Sequence, residues 1–268
     1  MSRDVPSGGE LFYNFVRIAR FAIKRTTSYR DFPFVFLILT APLLHLLRFR
    51  GELKTPIGNY EIQRNDILRW TIYGVFKTRF CYVRMLETTL LRNNPRSIVV
   101  DVGANLGDFS MAVSSHARRV LSLEPGRENF ALLCSNLHSN SLNQVIPLNI
   151  AAHDTFEDLS LIGNGADLRV STFDGGERIR GMPLDDVLQT HEIDYVDVLK
   201  IDVQGHETQV LNGMSNCLKA HKVGLVIVEV HVHRNIKASD VISLMQKFGY
   251  RRIATDYLIG GRPQLYFK

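Results

Sequence analysis

From Ser97 onward, short apolar runs alternate with stretches whose apolar residues recur at helical spacing. Strands are predicted near 98–102 (IVVDV), 120–124, 145–150, 196–202, 223–230, 250–256 and 263–268. Helices are predicted near 107–117, 127–139, 184–190, 206–219 and 238–248. Unbroken Val/Ile/Leu runs suit strands buried on both faces, and intervening helices supply the crossovers that parallel strands need. The expectation is an α/β fold, a mostly parallel seven-stranded sheet with helices on both faces. Residues 155–182 interrupt the alternation with short, turn-rich pieces such as Gly163-Asn164-Gly165 and Asp174-Gly175-Gly176. An insertion there would lie beside the mouth of a site, so it is the candidate substrate loop.

The preceding residues follow other patterns. Over 10–26, Leu11, Phe12, Phe15, Val16, Ile18, Ala19, Ala22 and Ile23 share one face, opposite Arg17, Arg20, Lys24 and Arg25. Phe32 to Leu47 carries no charge. A helix of that length spans ~24 Å, short of a ~30 Å hydrocarbon core, and Pro33, Pro42 and His45 further disfavour a spanning segment. It is expected to lie in the membrane plane or to be buried on the protein, while 10–26 either meets an anionic membrane surface or packs on the body. Gly51 to Ile62, with Pro56-Ile57-Gly58-Asn59, reads as a turn or hairpin, and 66–93 as helical in parts. The chain is therefore divided into a basic, hydrophobic helical extension (1–54), a hairpin and helical lead-in (55–96) and a main domain (97–268).

Charge sharpens this division. The net charge of +5 resides in residues 1–54, where nine Lys/Arg face four acids, while the rest balances. The body carries no basic stripe with interleaved aromatics, so nucleic acid is not expected as a partner. Cys81, Cys134 and Cys217 lie too far apart in sequence for a zinc motif or disulfide framework, and they read as buried residues of a reducing compartment. The expected location is the cytoplasm, with residues 10–47 as the candidate contact with an anionic membrane surface.

The chemistry begins where the first strand ends, in Asp101-Val-Gly103-Ala-Asn105-Leu-Gly107. Glycines there let the backbone bend sharply and approach a ligand closely. Asp101, at a strand's carboxyl end, could accept from an ammonium or a bound water. The second strand ends in Glu124-Pro125, and a carboxylate there can accept both hydroxyls of a ribose. These features suit any adenosine-type cofactor, nicotinamide included.

The motifs DVGANLGDFS, EP followed by Asn129 and Asn136, AAHD, PLDDVL, LKIDVQGHE and VEVH stand in an order that resembles the FkbM-type methyltransferases, which act on hydroxyls of sugars and natural products. The resemblance covers about residues 60–268. It implies a Rossmann-like class I methyltransferase fold with its last strand antiparallel, and S-adenosyl-L-methionine as cofactor. It places the methionine end of that cofactor near Asp101, Gly103, Asn105 and Gly107, the ribose on Glu124, and the adenine edge near Asp154. Asp202 would face the methyl group and the acceptor. One departure is Gln204, where the family usually has glutamate.

Methyl transfer to an alcohol needs an aligned acceptor and a group to take its proton. Candidates gather at two strand ends, Asp202 with His206 and Glu207, and Glu229 with His231. Positions 229 and 231 point to one side of a strand. Such a gathering could serve as base and orienter or hold a divalent ion; the expectation is the former, without a metal. The resulting reading is an S-adenosylmethionine-dependent O-methyltransferase of a sugar, glycan or natural-product hydroxyl. The alternatives are a nicotinamide-dependent oxidoreductase, whose usual G-x-G-x-x-G spacing is absent, and a membrane-tethered non-catalytic binding module.

Overall fold

The computed structural model describes residues 32–47, 49–62, 65–78, 96–163, 165, 168–171, 175–232, 236–257 and 262–268. The expected helix over 10–26, Cys81 and the end of the lead-in lie outside them. Helix α1 (Phe32–Leu46) leads into a hairpin of β1 (Gly51–Thr55) and β2 (Gly58–Ile62), followed by α2 (Asn65–Lys77). Thr55 closes the hairpin turn, its hydroxyl donating to the Gly58 carbonyl at 2.7 Å.

Seven strands then form the main sheet: β3 (Ser97–Val102), β4 (Ala117–Leu123), β5 (Val145–Leu148), β10 (Val196–Ile201), β11 (Val223–Glu229), β12 (Arg252–Tyr257) and β13 (Pro263–Phe267). Their order is β12-β13-β11-β10-β3-β4-β5; β13 is antiparallel to both neighbours, and β5, β4, β3, β10 and β11 are mutually parallel. This is the Rossmann-like class I arrangement, with the strand order reversing between β3 and β10. Ligands of such sheets bind at that switch point, outside the carboxyl ends of the strands.

The central strands are apolar throughout because both of their faces are covered. Val99, Val120, Val198 and Leu225 point to one face, where they pack with Tyr60, Ile72, Phe76, Phe109 and Leu133. Val100, Leu121, Leu199 and Val226 point to the other, packing with Val187, Leu211, Val241 and Met245. The first face is covered by α3 (Asp108–Ser114) and α4 (Arg127–Ser139), together with the hairpin, α1 and α2. The second takes α5 (Leu184–Thr190), α6 (Glu207–Asn212), α7 (Ser215–Lys219) and α8 (Ala238–Lys247).

Two elements differ from expectation. The helix predicted over 206–219 breaks into α6 and α7 at Gly213, where any Cβ would stand 1.9 Å from the His153 carbonyl oxygen. Residues 151–183, expected to be irregular from 155, form a second sheet: β6 (Ala151–His153), β7 (Glu157–Ile162), β8 (Arg169–Ser171) and β9 (Glu177–Pro183), in the order β6-β9-β7-β8. Its small core is Ala151, Leu159, Leu161 and Ile179. Cys134 and Cys217 are partly buried free thiols.

Candidate active site

The turn after β3 is built from backbone conformations most side chains resist. Gly103, Asn105 and Gly107 have φ of 77°, 51° and 93°. A Cβ on Gly103 would lie 1.9 Å from the Asp202 carbonyl oxygen, and one on Gly107 2.7 Å from Leu133 Cδ1. The Asp202 backbone thus demands glycine at 103, and the left-handed φ favours it at 107. The turn's product is a backbone amide, Asn105 N–H, that donates to Glu124 Oε2 at 2.9 Å.

Glu124 follows β4 and is almost fully buried. Its Oε1 accepts from the Gly126 amide at 3.0 Å and from Asn129 Nδ2 at 3.3 Å. Burial pushes its carboxyl up to about 7, against the lowering effect of those hydrogen bonds. The insertion reaches this acid: Asn129 Nδ2 also donates to the Gly165 carbonyl at 3.1 Å, and a Cβ on Gly126 would meet Leu168 Cδ2 at 2.2 Å.

Asp101 is arranged differently from the expectation that it accepts directly from a ligand. It is wholly buried, its Oδ1 accepts from Lys200 Nζ and its Oδ2 from the Ser110 hydroxyl, at 2.8 and 2.6 Å. Lys200 also donates to the Gly103 carbonyl at 2.8 Å. Asp101 therefore fixes the turn through Lys200. Asp154 stands apart from this crevice's acids, in a group with His153 and Glu157.

At the next two strand ends the structure brings Asp202, Glu229 and His231 together. His231 Nε2 is 3.5 Å from Asp202 Oδ1 and 3.5 Å from Glu229 Oε1, while its Nδ1 is 2.6 Å from Glu207 Oε1. Glu207 also accepts from the Gly205 amide at 3.0 Å. His206, its chain neighbour, points elsewhere, to His153. Asp202 keeps 14% side-chain exposure, whereas Glu207, Glu229 and His231 have none.

The residue that sequence reasoning missed is Lys77, the last of α2. Its ammonium lies 2.6 Å from Asp202 Oδ2 and also bridges to Glu229 Oε2. Burial opposes the charge on Lys77, yet Asp202 and Glu229 outweigh it and hold the ammonium protonated far above its ordinary range. Burial likewise works against the Asp202 charge, but Lys77 and then Lys200 prevail and keep its carboxyl below the usual carboxylate range. Arg262, before β13, adds a contact of 3.1 Å to Glu229 Oε1 and donates to the Tyr73 hydroxyl at 2.7 Å.

The residues fit an S-adenosyl cofactor. Glu124 Oε2 keeps acceptor capacity beside its one amide donor, as a ribose hydroxyl requires. Asp202 Oδ1, at the end of β10 across β3 from Glu124, is buried with no hydrogen-bond partner among the described residues. A desolvated acid of this kind is placed to accept from a ligand or a water.

The acids at the ends of β3 and β4, beside a second acid cluster on a class I sheet, fit an S-adenosylmethionine-type methyltransferase. A match to the methyltransferase FkbM domain over residues 101–252 agrees, and the chain belongs to that family. Its methyl donor is S-adenosylmethionine; the oxidoreductase alternative gives way. The chain is 32% identical to the hexuronic acid methyltransferase AglP of Haloferax volcanii, over 56% of this chain and 62% of that one. It is 26% identical to the antimetabolite synthetase AmbE of Pseudomonas aeruginosa, over 62% of this chain and 10% of that one. The chain thus spans less than two thirds of the length of either relative. Similar solved structures include Aeropyrum pernix fibrillarin with bound S-adenosyl-L-methionine (TM-score 0.44, 11% identity, 73% of this chain and 76% of that). An rRNA methylase from Streptococcus thermophilus is similar at TM-score 0.44 and 12% identity, over 69% of this chain and 93% of that.

Proposed function

We propose that the chain is an O-methyltransferase acting on a sugar hydroxyl, with Glu124 holding the cofactor ribose and Asp202 meeting the acceptor. The observation that carries this is Asp202 itself, the one member of the Asp202–Glu207–Glu229–His231 group with exposed side-chain surface. The name of the Haloferax relative, a hexuronic acid methyltransferase, supports a sugar as the acceptor class.

Bound S-adenosylmethionine supplies an electrophilic sulfonium methyl group. The acceptor hydroxyl would donate to Asp202, which would turn its oxygen toward that methyl group and draw away its proton. A carboxylate held this acidic is a weak base, so its first task is to fix the hydroxyl. His231 Nε2, 3.5 Å behind it, takes the proton on, and Glu207 at 2.6 Å stabilises the resulting imidazolium. Glu124 accepts from the ribose, while Gly103, Asn105 and Gly107 shape the turn around the methionine end.

The test is transfer of a labelled methyl group to hexoses, hexuronic acids and glycans. Asp202→Asn should lower turnover at least ~10²-fold while S-adenosylhomocysteine still binds. Near-normal turnover in that variant would remove Asp202 from the acceptor site.

A second reading concerns location. Phe32, Phe36, Leu39, Leu43 and Leu47 form a stripe on α1 and its end, each 57–69% exposed. A contiguous exposed apolar stripe of that kind marks an interaction surface. No described helix is long and apolar enough to cross a membrane. We infer an in-plane contact with an anionic membrane, to which Arg17, Arg20, Lys24 and Arg25 add charge. Flotation with anionic vesicles tests it; failure of the full chain to float would sink the reading.

A further inference from the structure

The loop after β10 has two working sides. Glu207 turns toward His231 and the acid group, and His206 toward the end of β6. There His153, with only 8% of its side chain exposed, is sandwiched between His206 and two acids. Its Nδ1 is 2.6 Å from His206 Nε2, and its Nε2 is 3.1 Å from Asp154 Oδ1 and also contacts Glu157 Oε1. One atom each from His153, Asp154 and Glu157 lie within 4.8 Å of one another.

We propose that His153 Nε2, Asp154 and Glu157 bind a divalent transition-metal ion, with His206 orienting His153 from behind. One imidazole nitrogen and two carboxylates suit Zn²⁺ or Mn²⁺, whose bonds to such atoms are about 2.0–2.2 Å long. Ligating histidines usually donate their other ring N–H to a partner, which fixes the tautomer. His206 Nε2 at 2.6 Å is placed to accept that bond, leaving His153 Nε2 as the ligand atom. Asp154 and Glu157 are 38% and 49% exposed, so water can reach and complete the coordination.

Charge separates this group from the neighbouring one. Asp202, Glu229 and His231 also lie close enough together to hold an ion, but Lys77, Lys200 and Arg262 already supply the positive charge there. Around His153, among the described residues, no Lys or Arg pairs with Asp154 or Glu157. Two carboxylates converge on one ring nitrogen. The His153–His206 contact is what links the proposed site to the loop that carries Asp202 and Glu207.

The experiment is calorimetric titration of the full chain, stripped with chelator, using Zn²⁺ and Mn²⁺ separately, with metal content measured after dialysis. One equivalent should bind, and Asp202→Asn should leave its affinity within about twofold. His206→Ala should weaken it roughly 10–100-fold, and Asp154→Asn with Glu157→Gln should abolish it, the melting transition confirming that each variant folds. Bound Mn²⁺ should show coupling to a single nitrogen ligand in its electron paramagnetic resonance spectrum. No saturable binding, full affinity in the Asp154/Glu157 double variant, or loss only in Asp202→Asn would each overturn the proposal.

Discussion

Lys77 Nζ lies 2.6 Å from Asp202 Oδ2, joining the end of a helix that precedes the main sheet to a strand end 125 residues later. The contact sets the charge of the proposed acceptor site, because the same ammonium bridges the two carboxylates of Asp202 and Glu229.

Removing that cation should be costly. Lys77→Met leaves Asp202 and Glu229 short of their shared partner, and losing one side of a buried pair costs about 3–5 kcal/mol. The depressed Asp202 carboxyl stabilises the fold above its unfolded value of about 3.9, and that contribution fades as pH falls toward its lower folded value. The deficit of Lys77→Met in chemical unfolding should therefore be largest at pH 7–8 and shrink below about pH 4. An unchanged deficit across that range would dissociate Lys77 from these acids.

Cofactor binding should be linked to a proton. Burial raises Glu124 to about 7, and ribose hydroxyls donate to its ionised form. Affinity for S-adenosylhomocysteine should be highest above pH 7 and fall below it by up to about tenfold per pH unit. Glu124→Gln should bind more weakly at pH 8 and lose the pH dependence. Calorimetry across pH 5.5–8.5 decides; a parallel pH dependence in both proteins would clear Glu124 of the role.

Asp108 gives a second titration, this one in stability. Its carboxyl is raised to about 7 by burial, although Tyr60, Lys200 and Lys77 work to lower it. The Tyr60 hydroxyl donates to its Oδ1 at 2.7 Å, and a Cβ on Gly74 would meet its Oδ2 at 2.0 Å. A raised folded value means stability that is fully present below about pH 3.9 and lost as pH rises through about 7. Asp108→Asn should flatten that loss and gain up to roughly 2–4 kcal/mol over wild type at pH 8. Tyr60→Phe should cost ~1–3 kcal/mol, since it strips a buried donor from the acid. Denaturant melts at pH 5 and pH 8 measure both.

Gly103→Ala should fail for a backbone reason. The residue has φ of 77°, and its new Cβ would stand 1.9 Å from the Asp202 carbonyl oxygen. Strain of at least ~1–3 kcal/mol, plus displacement of the Asp202 backbone, predicts poor expression and reduced transfer together. A stable, fully active Gly103→Ala protein would show that the two strand ends separate freely.

The sheet was legible because strands such as Ile98–Val102 are covered on both faces and so carry unbroken apolar runs. Glu124, Gly103 and Gly107 could be singled out as candidates for a related reason: chemistry on this fold gathers at strand ends, and those are easily found. The cause assigned to the glycines was incomplete, since contact between Gly103 and the Asp202 carbonyl depends on two strands adjacent in space but distant in sequence. The small sheet was missed because β7 and β9 offer few inward apolar residues, chiefly Leu159, Leu161 and Ile179. Lys77 could not be found locally, as a lysine closing an amphipathic helix looks like an ordinary complement to the helix dipole. The available signal was indirect: buried acids at 202 and 229 require a cation from somewhere.

That cation also bears on how the protein can be divided. A fragment starting at Ser97 would contain every strand of the main sheet, the glycine turn and all the acids of both clusters. It would nonetheless lack Lys77 and the Gly74 surface against Asp108. Grafting or swapping such a unit between relatives would transplant a reaction centre without its counter-ion, so the minimal exchangeable module begins at the hairpin near Gly51.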